Sequence, residues 1–101
     1  MELSNLLKNL DYYSPEPFLD CMITGIAYDS RKVKAGYLFV CIKGLVTDGH
    51  LYAAEAAKNG AAAILCEEMV TAPQGITIVQ TNNTREALPV VAANYYGNPS
   101  N

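Results

Sequence analysis

The residues best equipped for chemistry fall in two short polar clusters. The first is Asp29-Ser30-Arg31, directly after the run Ile26-Ala27-Tyr28. Ser30 brings a hydroxyl that can donate and accept, and Arg31 a rigid guanidinium fork suited to phosphate or carboxylate. Asp29 is a turn former whose carboxylate can accept from the backbone amides that follow it. The second cluster opens at Gly44 and closes on Thr47-Asp48-Gly49-His50. Glycine at positions 44 and 49 permits backbone conformations that expose N–H groups. Together with the start of a helix just beyond, such groups suit a diphosphate. The predicted chemistry is therefore the holding of an anionic ligand.

Other reactive groups are sparse. His50 is the only histidine, too little for a nucleophilic triad or a metal site, and reads as a helix-start or supporting residue. Glu67-Glu68 reads as a solvated loop, and Tyr95-Tyr96 as packing at a helix end. No Gly-x-x-x-x-Gly-Lys-Ser/Thr loop occurs anywhere in the sequence. No residue is assigned to catalysis and none to a metal.

Both clusters need strands to carry them. Ile23–Tyr28 reads as a short strand, and Tyr37–Ile42 as a nearly continuous apolar strand buried on both faces. An Ala-rich helix follows over about Leu51 to Asn59, with Gly60 as its stop. Residues 61–66 read as a buried strand, 67–75 as a loop, and Ile76–Val79 as a β-branched strand. Leu3, Leu6, Leu7 and Leu10 mark one face of an N-terminal helix expected to reach about Asp11. Residues 11–21 read as a loop around Ser14-Pro15-Glu16-Pro17. The last helix begins at Asn82, Asn83 or Thr84. Asn83 as its cap places Glu86 at the third helical position. Pro89 predicts a kink or a later start there, and Gly97-Asn98-Pro99-Ser100 the end. Helices alternating with short strands define the fold class: α/β, a small sheet flanked by helices.

Composition narrows the partners. The 101 residues fit one domain or a piece of a larger protein, and a chain half hydrophobic has ample material for a core. With net charge −3 and only a local Arg31, Lys32 and Lys34 cluster, binding to nucleic acid is not expected. No apolar run is long enough to insert in a membrane. Cys21, Cys41 and Cys66 are far apart, odd in number and without Cys-x-x-Cys spacing. They read as structural thiols in a reducing cytoplasm.

Taken together, several runs resemble the N-terminal domain of the Mur ligases. These are Asp29-Ser30-Arg31-x-Val33-x-x-Gly36-x-Leu38-Phe39-Val40, Gly44-x-x-x-Asp48-Gly49-His50 and Ala56-x-x-x-Gly60-Ala61. The leading leucine helix and the ending Arg85-x-Ala87-Leu88…Ala92…Tyr95-Tyr96…Pro99-Ser100 are similar too, most of all to the MurE type. The resemblance implies that residues 1–101 are the first domain of a three-domain cytoplasmic ligase of peptidoglycan synthesis. Such a ligase adds meso-diaminopimelate or L-lysine to UDP-N-acetylmuramoyl-L-alanyl-D-glutamate. It further implies that this domain anchors the uridine-diphosphate end of that dipeptide substrate. The central and C-terminal domains of the same chain would be its partners and would supply ATP and Mg²⁺ binding. No cofactor is expected on residues 1–101, and the piece alone is not expected to be catalytic.

Carried over position by position, the resemblance implies substrate binding by Tyr28, Ser30, Leu45, Val46 and Thr47, with Asp29, Arg31, Asp48, Gly49 and His50 in support. Leu45 and Val46 stand where some relatives have polar side chains, so that loop would bind mainly through backbone amides and Thr47. Tyr28 is expected to pack on the uracil face. The alternatives are a MurF-type ligase domain, which serves addition of D-alanyl-D-alanine, or an interdomain contact module with little nucleotide affinity.

Overall fold

The computed structural model describes residues 1–14, 20–42, 49–68, 70 and 75–97. Four strands, β1 (Gly25–Ala27), β2 (Tyr37–Val40), β3 (Ala63–Cys66) and β4 (Thr77–Gln80), form one sheet in the order β1-β2-β3-β4. Every pair is parallel, with Ile26 beside Leu38, Phe39 beside Ile64 and Leu65 beside Val79. Helices α1 (Leu3–Leu6), α2 (Ala53–Lys58) and α3 (Thr84–Tyr96) cover it, aided by 3₁₀ turns at Ser30–Lys32 and Gly49–Tyr52.

The apolar runs of β2 and β3 follow from this layering. A strand's side chains alternate between faces, so a strand covered on both sides must be apolar throughout. Leu38, Val40, Ala63, Leu65 and Val79 pack with Leu3, Leu6, Leu7, Ala87 and Val91 on the face that carries α1 and α3. Phe39, Cys41, Ile64 and Cys66 pack with Val33, Ala53 and Ala56 on the opposite face, under α2. Phe39 is fully buried there, and a side chain of that size contributes about 1.5–3 kcal/mol by leaving water.

Several expectations change in detail. The leucine face is right, but α1 ends at Leu6 and the chain turns at Asn9, which sits at φ 67°. The Leu3 amide donates to the Cys21 carbonyl (2.8 Å), and the Asp20 carboxylate accepts from the Ser4 amide (3.0 Å) and hydroxyl (2.8 Å). Residues 11–14, read as loop, close one edge of the sheet. Tyr13 bridges antiparallel to Gln80 through two backbone bonds of 2.8 and 2.7 Å, and the Ser14 hydroxyl donates to the Ile78 carbonyl (2.6 Å).

Gly60 ends α2 as expected. At φ +115° with the Ala35 Cα 2.8 Å from where a Cβ would stand, only glycine fits. Helix α3 starts at Thr84 with Asn83 as its cap, the Glu86 amide donating to Asn83 Oδ1 (3.2 Å). It runs through Pro89 to Tyr96 rather than starting later. Proline removes one helical hydrogen bond, and burial of Ala87 and Val91 on either side offsets the loss.

Candidate functional site

Ligands of open parallel sheets bind beyond the C-terminal ends of the strands. Here the chain leaves β1 into Tyr28–Arg31 and leaves β2 into Ile42, and a cleft of about 470 Å³ lies between them. Tyr28, Ser30, Arg31, Ile42, Tyr52 and Glu55 form its main walls. The first predicted cluster is thus on the cleft wall as a unit.

Asp29 organises that unit. Its carboxylate accepts from the Arg31 amide (3.0 Å) and caps the Ser30–Lys32 turn. The same carboxylate takes both Arg31 Nε (3.1 Å) and Nη2 (2.9 Å), a bidentate pair. The Arg31 side chain, with its amide helping, holds the Asp29 carboxyl down at about 2. In return Asp29 raises Arg31 above its ordinary value, so the guanidinium keeps its charge. That guanidinium is 81% exposed, and among the described residues no hydrogen bond occupies its Nη1. It offers an outward cationic donor fixed in direction by Asp29.

Ser30 is nearly buried and fastened on two sides. Its hydroxyl lies 2.9 Å from Glu55 Oε1, and its carbonyl accepts from Asn59 Nδ2 (2.8 Å). A carboxylate oxygen accepts only, so the hydroxyl donates to Glu55 and keeps its lone pairs. Tyr28, 64% exposed, and Tyr52, at 39%, both border the cleft.

Gly49 also borders the cleft, but in a different role from the one expected of it. Its N–H is not offered to a ligand, because it donates to the Ile42 carbonyl (2.8 Å). A Cβ here would stand 2.7 Å from the Ile42 nitrogen and 3.1 Å from the Cys41 Cα. The glycine is there to let the turn press against the end of β2.

His50 does not line the cleft. Its Nε2 accepts from the amides of Glu67 (3.0 Å) and Glu68 (3.1 Å), tying the Gly49–Tyr52 turn to the end of β3. The predicted positions Leu45, Val46, Thr47 and Asp48 lie outside the described residues.

Sequence reasoning missed Tyr52 and Glu55, which looked like scaffold in an Ala-rich helix. Their one signal is the spacing of three, which puts both on one helix face. The Ser30–Glu55 bond spans 25 positions and leaves no local trace. Glu67 was misread too. Its Oε2 accepts from the Thr84 amide (2.9 Å) and hydroxyl (3.0 Å), so it caps α3 instead of dangling in solvent. Among the described residues no group of three or more His, Cys, Asp and Glu could hold a metal, and no helix is long and apolar enough to cross a membrane.

A four-stranded parallel sheet with helices on both faces and a cleft past its strand ends defines an α/β domain. The chain belongs to the Mur ligase family: the family profile "Mur ligase family, catalytic domain" matches residues 22–98. It is 51% identical over 100 residues to the UDP-N-acetylmuramoyl-L-alanyl-D-glutamate--2,6-diaminopimelate ligase of Syntrophomonas wolfei, a match over 99% of this chain and 20% of that protein. It is 40% identical to the Clostridium perfringens protein of the same name, over 98% of this chain and 20% of that one. The chain thus spans about a fifth of the length of the curated relatives it matches. Among solved structures it is similar to MurF from Acinetobacter baumannii, with a TM-score of 0.73 and 26% identity over 90% of this chain and 20% of that one. The Thermotoga maritima MurF ligase in complex with ADP matches at TM-score 0.59 and 31% identity, over 66% of this chain and 15% of that one.

Proposed function

We propose that residues 1–101 are the N-terminal domain of a MurE-type ligase and anchor the uridine-diphosphate end of UDP-N-acetylmuramoyl-L-alanyl-D-glutamate. The observation that carries this reading is the cleft at the ends of β1 and β2, walled by Tyr28, Ser30 and Arg31. It combines an exposed aromatic ring, a fixed hydroxyl and an outward guanidinium, the groups needed for a base, a polar edge and an anion. Relatives 40–51% identical carry the diaminopimelate ligase name, which favours the MurE type. The MurF structures favour the D-alanyl-D-alanine-adding alternative, at the lower identity of 26%.

The domain's contribution to ligation is positional. Binding energy gained at the nucleotide end holds the reacting carboxylate in register on another part of the enzyme. ATP and Mg²⁺ are assigned elsewhere in the ligase, since the sequence carries no Gly-x-x-x-x-Gly-Lys-Ser/Thr loop. They would be held by the central domain, and the incoming amino acid by the C-terminal one, in the cytoplasm.

Calorimetric titration with the UDP-linked dipeptide tests this. Ser30→Ala is expected to weaken binding by about 1 kcal/mol, the scale of one hydrogen bond, or roughly fivefold in Kd. Wild-type affinity in that variant would remove Ser30 from the site.

A further inference from the structure

Glu55 lies on the cleft wall, yet no sequence motif singles it out. Its Oε1 takes the only proton Ser30 has to give. Its Oε2 accepts no hydrogen bond from the described residues. The Ser30–Glu55 edge therefore presents lone pairs only: Ser30 Oγ and Glu55 Oε2. An edge of acceptors repels phosphate oxygens and cytosine N3, which are themselves acceptors, and fits a ligand N–H. The rings of Tyr28 and Tyr52 border the same cleft and suit a flat heterocycle. The charged donor, Arg31, borders the same cleft, with its guanidinium paired to Asp29 and exposed to solvent.

Resting on the uridine-nucleotide reading above, we propose that Glu55 is a specificity residue for the base. With Ser30 it accepts the imide N3–H of uracil, while the diphosphate lies toward Arg31. Uracil is then chosen by its donor at N3, and cytosine is rejected for want of one. A site whose acceptors face a ligand N–H favours that ligand over analogues lacking it, because the lost bond is not replaced and two acceptors are brought together.

The test compares UDP, N3-methyl-UDP, CDP and 2′-deoxy-UDP by calorimetry on the wild-type chain and on Glu55→Gln and Glu55→Ala. On wild type, N3-methyl-UDP and CDP are expected to bind at least about tenfold more weakly than UDP, and 2′-deoxy-UDP nearly as well. Glu55→Gln replaces an acceptor with an amide donor, so the gap between UDP and CDP should close to about threefold or less. Glu55→Ala should narrow the gap between UDP and N3-methyl-UDP. Equal wild-type binding of UDP and N3-methyl-UDP would overturn the assignment of Glu55 and leave the uridine site standing. A loss confined to 2′-deoxy-UDP would also overturn it, giving the acceptor edge to the ribose. No binding of any uridine nucleotide would overturn both readings.

Discussion

Asp29 shows how much one side chain can organise. It caps the turn that presents Ser30, and it holds the Arg31 guanidinium by two hydrogen bonds. Its carboxyl sits at about 2 in the folded chain, below the ordinary 3.8, chiefly because Arg31 bonds the charged form. A lowered carboxyl favours the folded state above the unfolded value, and that contribution is lost as the pH falls through 3.8 toward 2. The pair is largely in solvent, so its own titration is a better readout than global stability. By NMR the Asp29 carboxyl should titrate with a midpoint of about 2, and a midpoint at 3.8 would mean that the fork does not form. At this scale the sequence is readable where neighbours make the contacts. Asp29, Ser30 and Arg31 announce a turn with a cation, and Asn83 announces a cap. Glu55 and Glu67 were not readable, because their partners lie 25 and 17 positions away.

At the scale of elements, the cleft depends on how closely the Gly49–Tyr52 turn meets the end of β2. Gly49 bonds Ile42 at 2.8 Å, and His50 ties the turn to the exit of β3. Gly49→Ala would force a Cβ to within 2.7 Å of the Ile42 nitrogen, against backbone that cannot swing aside. It is expected to cost about 1–3 kcal/mol in urea unfolding, the range for overpacking, and to weaken nucleotide binding as Tyr52 and Glu55 shift. A variant within about 0.5 kcal/mol of wild type, the scale of ordinary surface changes, would show that the close approach does not shape the cleft. Strands β2 and β3 were legible because burial on both faces leaves an unbroken apolar run. Helix α1 was overextended. Its leucines keep one face buried, but Leu3 must bond Cys21, and the turn at Asn9 leads the chain to its bridge with Gln80. Such long-range demands override a local helical pattern.

The whole molecule is a sheet sealed on both faces, and its thiols report on the seal. Cys41 and Cys66 are fully buried, while Cys21 is partly exposed. Burial pushes the Cys66 thiol up to about 11, and its Sγ lies 3.5 Å from the Val79 carbonyl. An alkylating reagent at about pH 8 should label Cys21 alone in the folded chain and all three thiols in denaturant, since only accessible thiolate reacts. Rapid labelling of Cys66 in the folded chain would contradict the two-sided core. The layered α/β class was legible from the alternation of apolar runs and helical faces, but the all-parallel order and the shape of the cleft emerge only when distant strands pair. The central claim is that this cleft is a uridine-nucleotide site, and an NMR titration of the chain with UDP, against ATP as control, tests it most directly. The expected result is a set of shifts at Tyr28–Arg31, Ile42, Gly49, Tyr52 and Glu55 with UDP and none there with ATP. Equal shifts with ATP, shifts confined to the opposite edge of the sheet near Tyr13 and Thr81, or none at millimolar UDP would contradict it.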